Sequence, residues 1–163
     1  MAATLEPALV QDVWDALCDA TRDEIHAWNA DFRRRQPAIV GFLRAAEEGI
    51  FQDDDRGALL LHGLWAWRAF LAAHHEPREI DEDDIEAAYT ANERTLFELE
   101  ASTAANPMDT AADWTETYRQ MPLLAAILQH AMSGDLAETR RVDDFLGLII
   151  LHMKTVIDCL DAV

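Results

Sequence analysis

Histidine changes charge near neutral pH and is the commonest metal ligand, so the chain's six histidines are the first residues to weigh for chemistry. Two of them, His62 and His152, end matching strings: Asp53-Asp54-x-x-Gly57-x-Leu59-Leu60-Leu61-His62 and Asp143-Asp144-x-x-Gly147-x-Ile149-Ile150-Leu151-His152. A matched pair near the middle of a fold could form a metal or ligand site, although core histidines more often bond a backbone carbonyl or an aspartate. Di-metal helical bundles use Glu-x-x-His pairs that project inward from their helices, and none is present. Asp23 and His26 have the spacing once, and His-Glu-x-x-His is absent. His74, His75 and Glu76 stand just before Pro77, where histidine suits the end of a helix.

Carboxylates are the second group of candidates. Asp53, Asp54 and Asp55, and again Asp143 and Asp144, could hold magnesium on a phosphorylated substrate, with Arg56, Arg140 and Arg141 nearby. Capping of helix starts accounts for both clusters without a ligand. A denser run holds Glu76, Glu79, Asp81, Glu82, Asp83, Asp84 and Glu86 against Arg78 alone. Together with Asp12, Asp15 and Asp19 near the N-terminus, these acids are the candidate contacts for a basic partner, and they also suit solvated helix surface that complements the macrodipole. No Gly-x-Ser-x-Gly nucleophile and no phosphate-cradling glycine loop exists in a chain with six glycines. Cys18 and Cys159 lie far from any second cysteine or finger-spaced histidine, and are expected as buried, reduced thiols.

The elements that must position these residues all carry the helical period. Val10, Val13, Trp14, Leu17, Thr21, Ile25, Trp28 and Phe32 recur at spacings of three and four, which predicts one long helix ending near Arg35. Pro37 suits the first turn of a second helix running to Glu48, before Gly49. The triplet Asp53 to Asp55 caps a third helix, apolar around most of its circumference through Leu64, Trp65, Trp67 and Phe70, which belongs at the centre. Trp65 and Trp67 point in different directions, so one of them is expected at an interface. Asp81 and Asp84 mark the start of a fourth helix, with Ile80 placed to staple onto Ile85. Its seam continues through Tyr89, Asn92, Leu96 and Leu99, among which Asn92 is the odd polar member. A loop follows from Ser102 to Asp109, then a fifth helix with Trp114 and Tyr118 running to Met121. Pro122 either kinks that helix or opens a sixth that ends at Gly134. The last helix spans Val142 to Leu160.

Beyond the histidine strings, Trp28 and Phe32 match Trp114 and Tyr118, while Pro37, Leu43, Ala46 and Gly49 match Pro122, Leu128, Ala131 and Gly134. This is read as an internal repeat of residues 28–70 and 114–160 within a single domain of 163 residues. The predicted architecture is an all-α bundle of six or seven helices, with two three-helix units about a pseudo-twofold joined by the acidic fourth helix. Helix starts with proline and stops with glycine would produce part of this likeness by physics alone.

The net charge of -18 is spread unevenly. Residues 28–70 are neutral and 114–160 carry -2, whereas 1–27 carry -5 and 71–113 carry -10. Such an acid excess opposes direct binding to nucleic acid or to an anionic membrane, which draws on clustered Lys and Arg. A half-apolar composition with five tryptophans argues for a folded core rather than disorder. No signal peptide or membrane-spanning run is read, so the expectation is a soluble, cytoplasmic chain. The leading functional reading is a non-enzymatic interaction or assembly protein, whose partner is a basic protein or a second copy of itself. The second is a helical ligand- or metal-binding protein built on His62 and His152, with no other cofactor implied. The third is an acidic inhibitor that covers a basic nucleic-acid-binding surface.

Overall fold

The long N-terminal helix is in fact two, and Thr21 is the reason. In the computed structural model, which describes residues 3–46, 51–101, 116–133 and 142–162 (side chains 99, 100 and 142–145 excepted), α1 spans Pro7–Asp19 and α2 spans Arg22–Arg35. Thr21 accepts from the Glu24 N–H, and the Glu24 carboxylate accepts from the Thr21 N–H at 2.8 Å, a capping box that starts α2 afresh. The apolar period continues across the break, so periodicity alone missed it.

Pro37 opens α3 (Pro37–Arg44), which ends four residues before the expected Glu48. The next helix, α4 (Asp53–Ala72), has Gln52 as its N-cap, with the three aspartates in its first turn. Asp55 reaches back to the Gln52 N–H at 2.7 Å. At the other end His74 takes a left-handed φ of 59°, the His75 N–H bonds the Phe70 carbonyl, and the His74 N–H bonds the Leu71 carbonyl. That is a Schellman ending with histidine in the place glycine usually takes.

The expected start of the fourth helix is observed. In α5 (Glu82–Ala101) Asp81 accepts from the Asp84 N–H at 2.9 Å, Asp84 accepts from the Asp81 N–H at 3.2 Å, and Ile80 and Ile85 are both buried. Pro122 opens a helix rather than kinking one. Tyr118 lies outside helix, Arg119 and Gln120 form a turn, and α6 runs Met121–Ser133, so a fifth helix continuous to Met121 is not formed. The last helix, α7, spans Val142–Asp161. Trp114 and the loop from Ser102 to Asp109 lie outside the described residues. Seven helices and no strand are present among the described residues, an all-α bundle.

The apolar helices α4 and α7 pack on each other at the centre. Around them, α1 packs on α4 and α6, and α5 packs on α7 and α3. Helices α3 and α6 lie on α4 and α7 respectively. Both Trp65 and Trp67 are buried, so neither is left for an interface: Trp65 donates to the Val10 carbonyl, and Trp67 stacks on Phe32. Gly63 lets α3 come close, since a Cβ there would stand 2.5 Å from the Leu43 Cδ1. Cys159 is buried as expected, but Cys18 is exposed because the apolar stripe of α1 passes through Val10, Val13 and Leu17 instead. No helix among the described residues is long and apolar enough to cross a membrane.

Two buried glutamines tie the helix starts to the rest. Gln36 accepts from the Ile80 N–H at 3.0 Å and donates to the Arg78 carbonyl at 2.7 Å. Gln120 accepts from the Leu5 N–H at 3.1 Å and donates to the Ala3 carbonyl at 3.0 Å. Replacing Gln36 by alanine strands a buried N–H and a carbonyl together. Gln36→Ala is expected to lower unfolding free energy by about 3 kcal/mol, read from urea denaturation. A loss below about 0.5 kcal/mol would show that water replaces the side chain without cost.

Candidate functional site

An open groove of about 1050 Å³ runs between α3 and α5. Its floor is apolar and aromatic: Phe42 from α3, Ile80 and Ile85 at the start of α5, Tyr89 one turn on, and His152 from α7. Small residues, Ala45 and Ala46, form the α3 side, while Glu79, Asp81, Glu82 and Glu86 edge the α5 side. This follows from how α5 is built. The staple drives Ile80 and Ile85 inward, and the intervening acids are left at the rim.

His152 is buried at the bottom of the groove, its Nδ1 2.8 Å from the Leu148 carbonyl, which fixes the proton on Nδ1. Its ring stacks on Phe42 at 5.1 Å and meets Phe51 and Tyr89 edge-on at 5.9 and 5.8 Å.

His62 lies against different partners. Its Nε2 is 3.2 Å from the Nδ1 of His130, a residue on α6 that no motif or spacing singles out. The His130 ring sits 4.0 Å from Trp14, which in turn is 4.5 Å from Trp65. The His62 Nδ1 has no partner among the described residues. Burial first, and the neighbouring His130 second, push the His62 imidazole down to about 4. Burial also lowers His130. Among the described residues no group of three or more His, Cys, Asp or Glu is placed to hold a metal ion.

The remaining sequence candidates fall apart spatially. Asp12, Asp15 and Asp19 are exposed on α1, while Glu76, Glu79, Asp81, Glu82, Asp83 and Glu86 are exposed on α5 or the segment before it. Asp84 is engaged: it caps the helix and pairs with Arg78 at 2.7 Å, and the Asp81 N–H holds its carboxyl below the usual range. Asp23 and His26 are exposed, and Asp53 pairs with Arg56. The side chains of Asp143 and Asp144 lie outside the described set.

A second polar cluster was visible in the sequence only through Asn92. Lys154, the chain's single lysine, donates to the Asn92 Oδ1 at 2.8 Å and the Asp158 Oδ2 at 2.6 Å, with its ammonium 4.5 Å above the Tyr118 ring. The Tyr118 hydroxyl donates to the other Asp158 oxygen at 2.8 Å, and Asn92 donates to Asp158 and Thr155. Burial, then Asp158, raises the Tyr118 hydroxyl far above its usual value. Next to it, burial pushes the Cys159 thiol up to about 12, with Asp158 and Asp84 adding. Lys154, Asn92, Asp158, Thr155 and Tyr118 are thus bonded in one network that clamps α5 to α7. Comparison with protein-family models, curated proteins and solved structures returns no match.

The depressed His62 gives a pH signature. Between its free value of 6.5 and its folded value of about 4, the unfolded chain binds a proton there that the folded chain refuses. Stability is therefore full above pH 6.5 and falls as pH drops toward 4, by roughly 3 kcal/mol from this group. Urea denaturation from pH 7.5 to 4, compared with His62→Gln, checks it. Equal slopes in the two proteins would remove His62 as the source.

Proposed function

We propose that this protein is a non-catalytic binding protein that seats a basic, amphipathic helix of a partner protein in the groove between α3 and α5. The observation that carries the reading is the groove's division into an apolar aromatic floor and a rim of four carboxylates, with no Lys or Arg among the lining residues described. An amphipathic helix laid in a groove uses its apolar face for affinity and its flanking charges for register. Lysines or arginines beside that face would meet Glu79, Glu82 and Glu86, which are exposed and pre-positioned by the cap of α5. The chain's overall acidity adds to this. A charge of -18 steers a basic partner over a longer range than any single pair, and repels nucleic acid competitors. The acidic-inhibitor reading is a special case, in which the basic segment belongs to a nucleic-acid-binding protein.

The test uses a dye-labelled helical peptide of leucine and lysine, about four turns long, titrated by fluorescence anisotropy. Saturable binding that weakens with rising salt is expected. Glu82→Lys combined with Glu86→Lys should weaken it about tenfold, and Ala45→Trp, which fills the groove, should abolish it. Asp12→Lys with Asp15→Lys, on a different helix, should change it much less. Binding that ignores Ala45→Trp would place the peptide on the general acidic surface and sink the reading.

A further inference from the structure

The two sides of the groove belong to stretches of opposite charge. Residues 79–86, which open α5, hold Glu79, Asp81, Glu82, Asp83, Asp84 and Glu86 and no base. Residues 32–46, which end α2 and form α3, hold Arg33, Arg34, Arg35 and Arg44 and no acid. All four arginines are exposed. Arg34 and Arg35 share Asp31, whereas Arg44 has no ion pair among the described residues, and neither have the carboxylates of Glu79, Glu82 and Glu86. A base in the last turn complements the macrodipole, yet α1, α4, α5 and α7 end without one. The exposed bases collect instead at the ends of α3 and of α2, which packs on α3 and α4.

The helical period fixes the side on which Arg44 stands. Gly41 is exposed on the groove wall, with open space where a Cβ would be. Phe42, about 100° round α3 from Gly41, turns toward α5 and meets Tyr89 edge-on at 5.9 Å. Arg44 lies about 60° round in the opposite sense, with Gly41, Ala45 and Ala38 between the two. The bare wall of α3 is therefore edged by Arg44 on the side away from α5, while the acids edge the opposite side of the groove.

We propose that the groove reads its partner helix by the two flanks separately, taking bases on the flank that faces α5 and acids on the flank that faces Arg44. The inference rests on the docking reading and names the charge pattern of the partner. A uniformly basic helix would set one row of its lysines against Arg44, and like charges at a rim discriminate against wrong partners. Turning a helix end for end exchanges its flanks, so the same pattern fixes the direction in which the partner lies.

The test compares two labelled helical peptides by anisotropy with the full chain. One is the leucine–lysine peptide, with lysines on both flanks, and the other keeps lysines on one flank and carries glutamates on the opposite one. At about 0.15 M salt, charges more than about 8 Å apart are largely screened, so local contacts decide. The one-sided peptide should bind about fivefold more tightly, although a protein of charge -18 attracts the all-lysine peptide more strongly at long range. Arg44→Glu should reverse the preference. Arg22→Glu, the same change of charge on an exposed residue at the far end of α2, should leave it as it was. An all-lysine peptide that binds as tightly or more tightly in the unmodified protein overturns the proposal, and so does a preference that survives Arg44→Glu. If that all-lysine binding is still abolished by Ala45→Trp, the docking reading stands while the reading of flanks fails. If neither peptide binds, the docking reading falls and the flank pattern falls with it.

Discussion

A backbone amide taken out of water needs a partner, and this requirement is hardest to meet where a chain enters a helix inside a core. Leu5 and Ile80 are such entries: each is nearly inaccessible and each precedes a helix start. Their N–H groups are satisfied by glutamines rooted elsewhere, Gln120 for Leu5 and Gln36 for Ile80. Both glutamines stand where a helix begins with proline in its first turn, so their backbones are held while their side chains reach out. The first link joins residues 115 apart in sequence, and the second joins residues 44 apart. They anchor the entries of α1 and α5, while the Trp65 bond to the Val10 carbonyl and the Lys154–Asn92–Asp158 cluster hold the same helices further along. The groove depends directly on this, because the Gln36 link sets how far Ile80 and the rim of α5 stand from α3.

The same rule governs the polar groups inside the central layer. Trp65 carries an N–H into the core and finds the Val10 carbonyl, and Thr155 bonds back to the Leu151 carbonyl. Lys154 is the larger case. An ammonium among apolar helices is tolerated because Asn92, Asp158 and the Tyr118 ring surround it, and Asp158 is itself bonded by Tyr118 and Asn92. Removing one member would leave charge without compensation, so the cluster fixes the register of α5 on α7 more firmly than apolar contact could. Turning about the same core, Gln120 and Arg119 both reach Asp161 and close the C-terminus onto the turn before α6.

Much of this was legible in the sequence because local rules were at work. The Asp81–Asp84 cap, the Ile80–Ile85 staple and the proline start of α3 depend on residues within a few positions of one another. The central place of α4 followed from its apolar circumference. Thr21 and Glu24 had the spacing of a capping box, but the apolar period ran through them and suggested a continuous helix. The cap won because it satisfies two amide groups at the point where α2 begins, and the period then resumes on the new helix. Asn92 was visible as a polar residue on an apolar seam, without any sign of its partner. His130 was not legible at all, since nothing local marks an imidazole as the partner of His62 until α6 is set against the central pair.

The acidity of the α5 region separates into two parts once the helix is drawn. Asp81 is the cap, and Glu82, Asp83 and Asp84 occupy the first turn, where negative charge is favoured by the macrodipole whatever the protein does. Asp84 is further committed to Arg78. The charge of those four residues therefore has a local cause in the helix start, even where Asp81 and Glu82 also edge the groove. Glu79 precedes the cap and Glu86 follows the first turn, so neither gains from the helix end, yet both are exposed at the groove. Their mutual repulsion with Asp81 and Glu82 costs stability in the free protein. A surface needed only for solubility would scatter such charges over the neutral stretch 28–70 as well. Their concentration beside an aromatic floor is what ties the charge of this chain to one place in its fold, and that place is the groove holding His152.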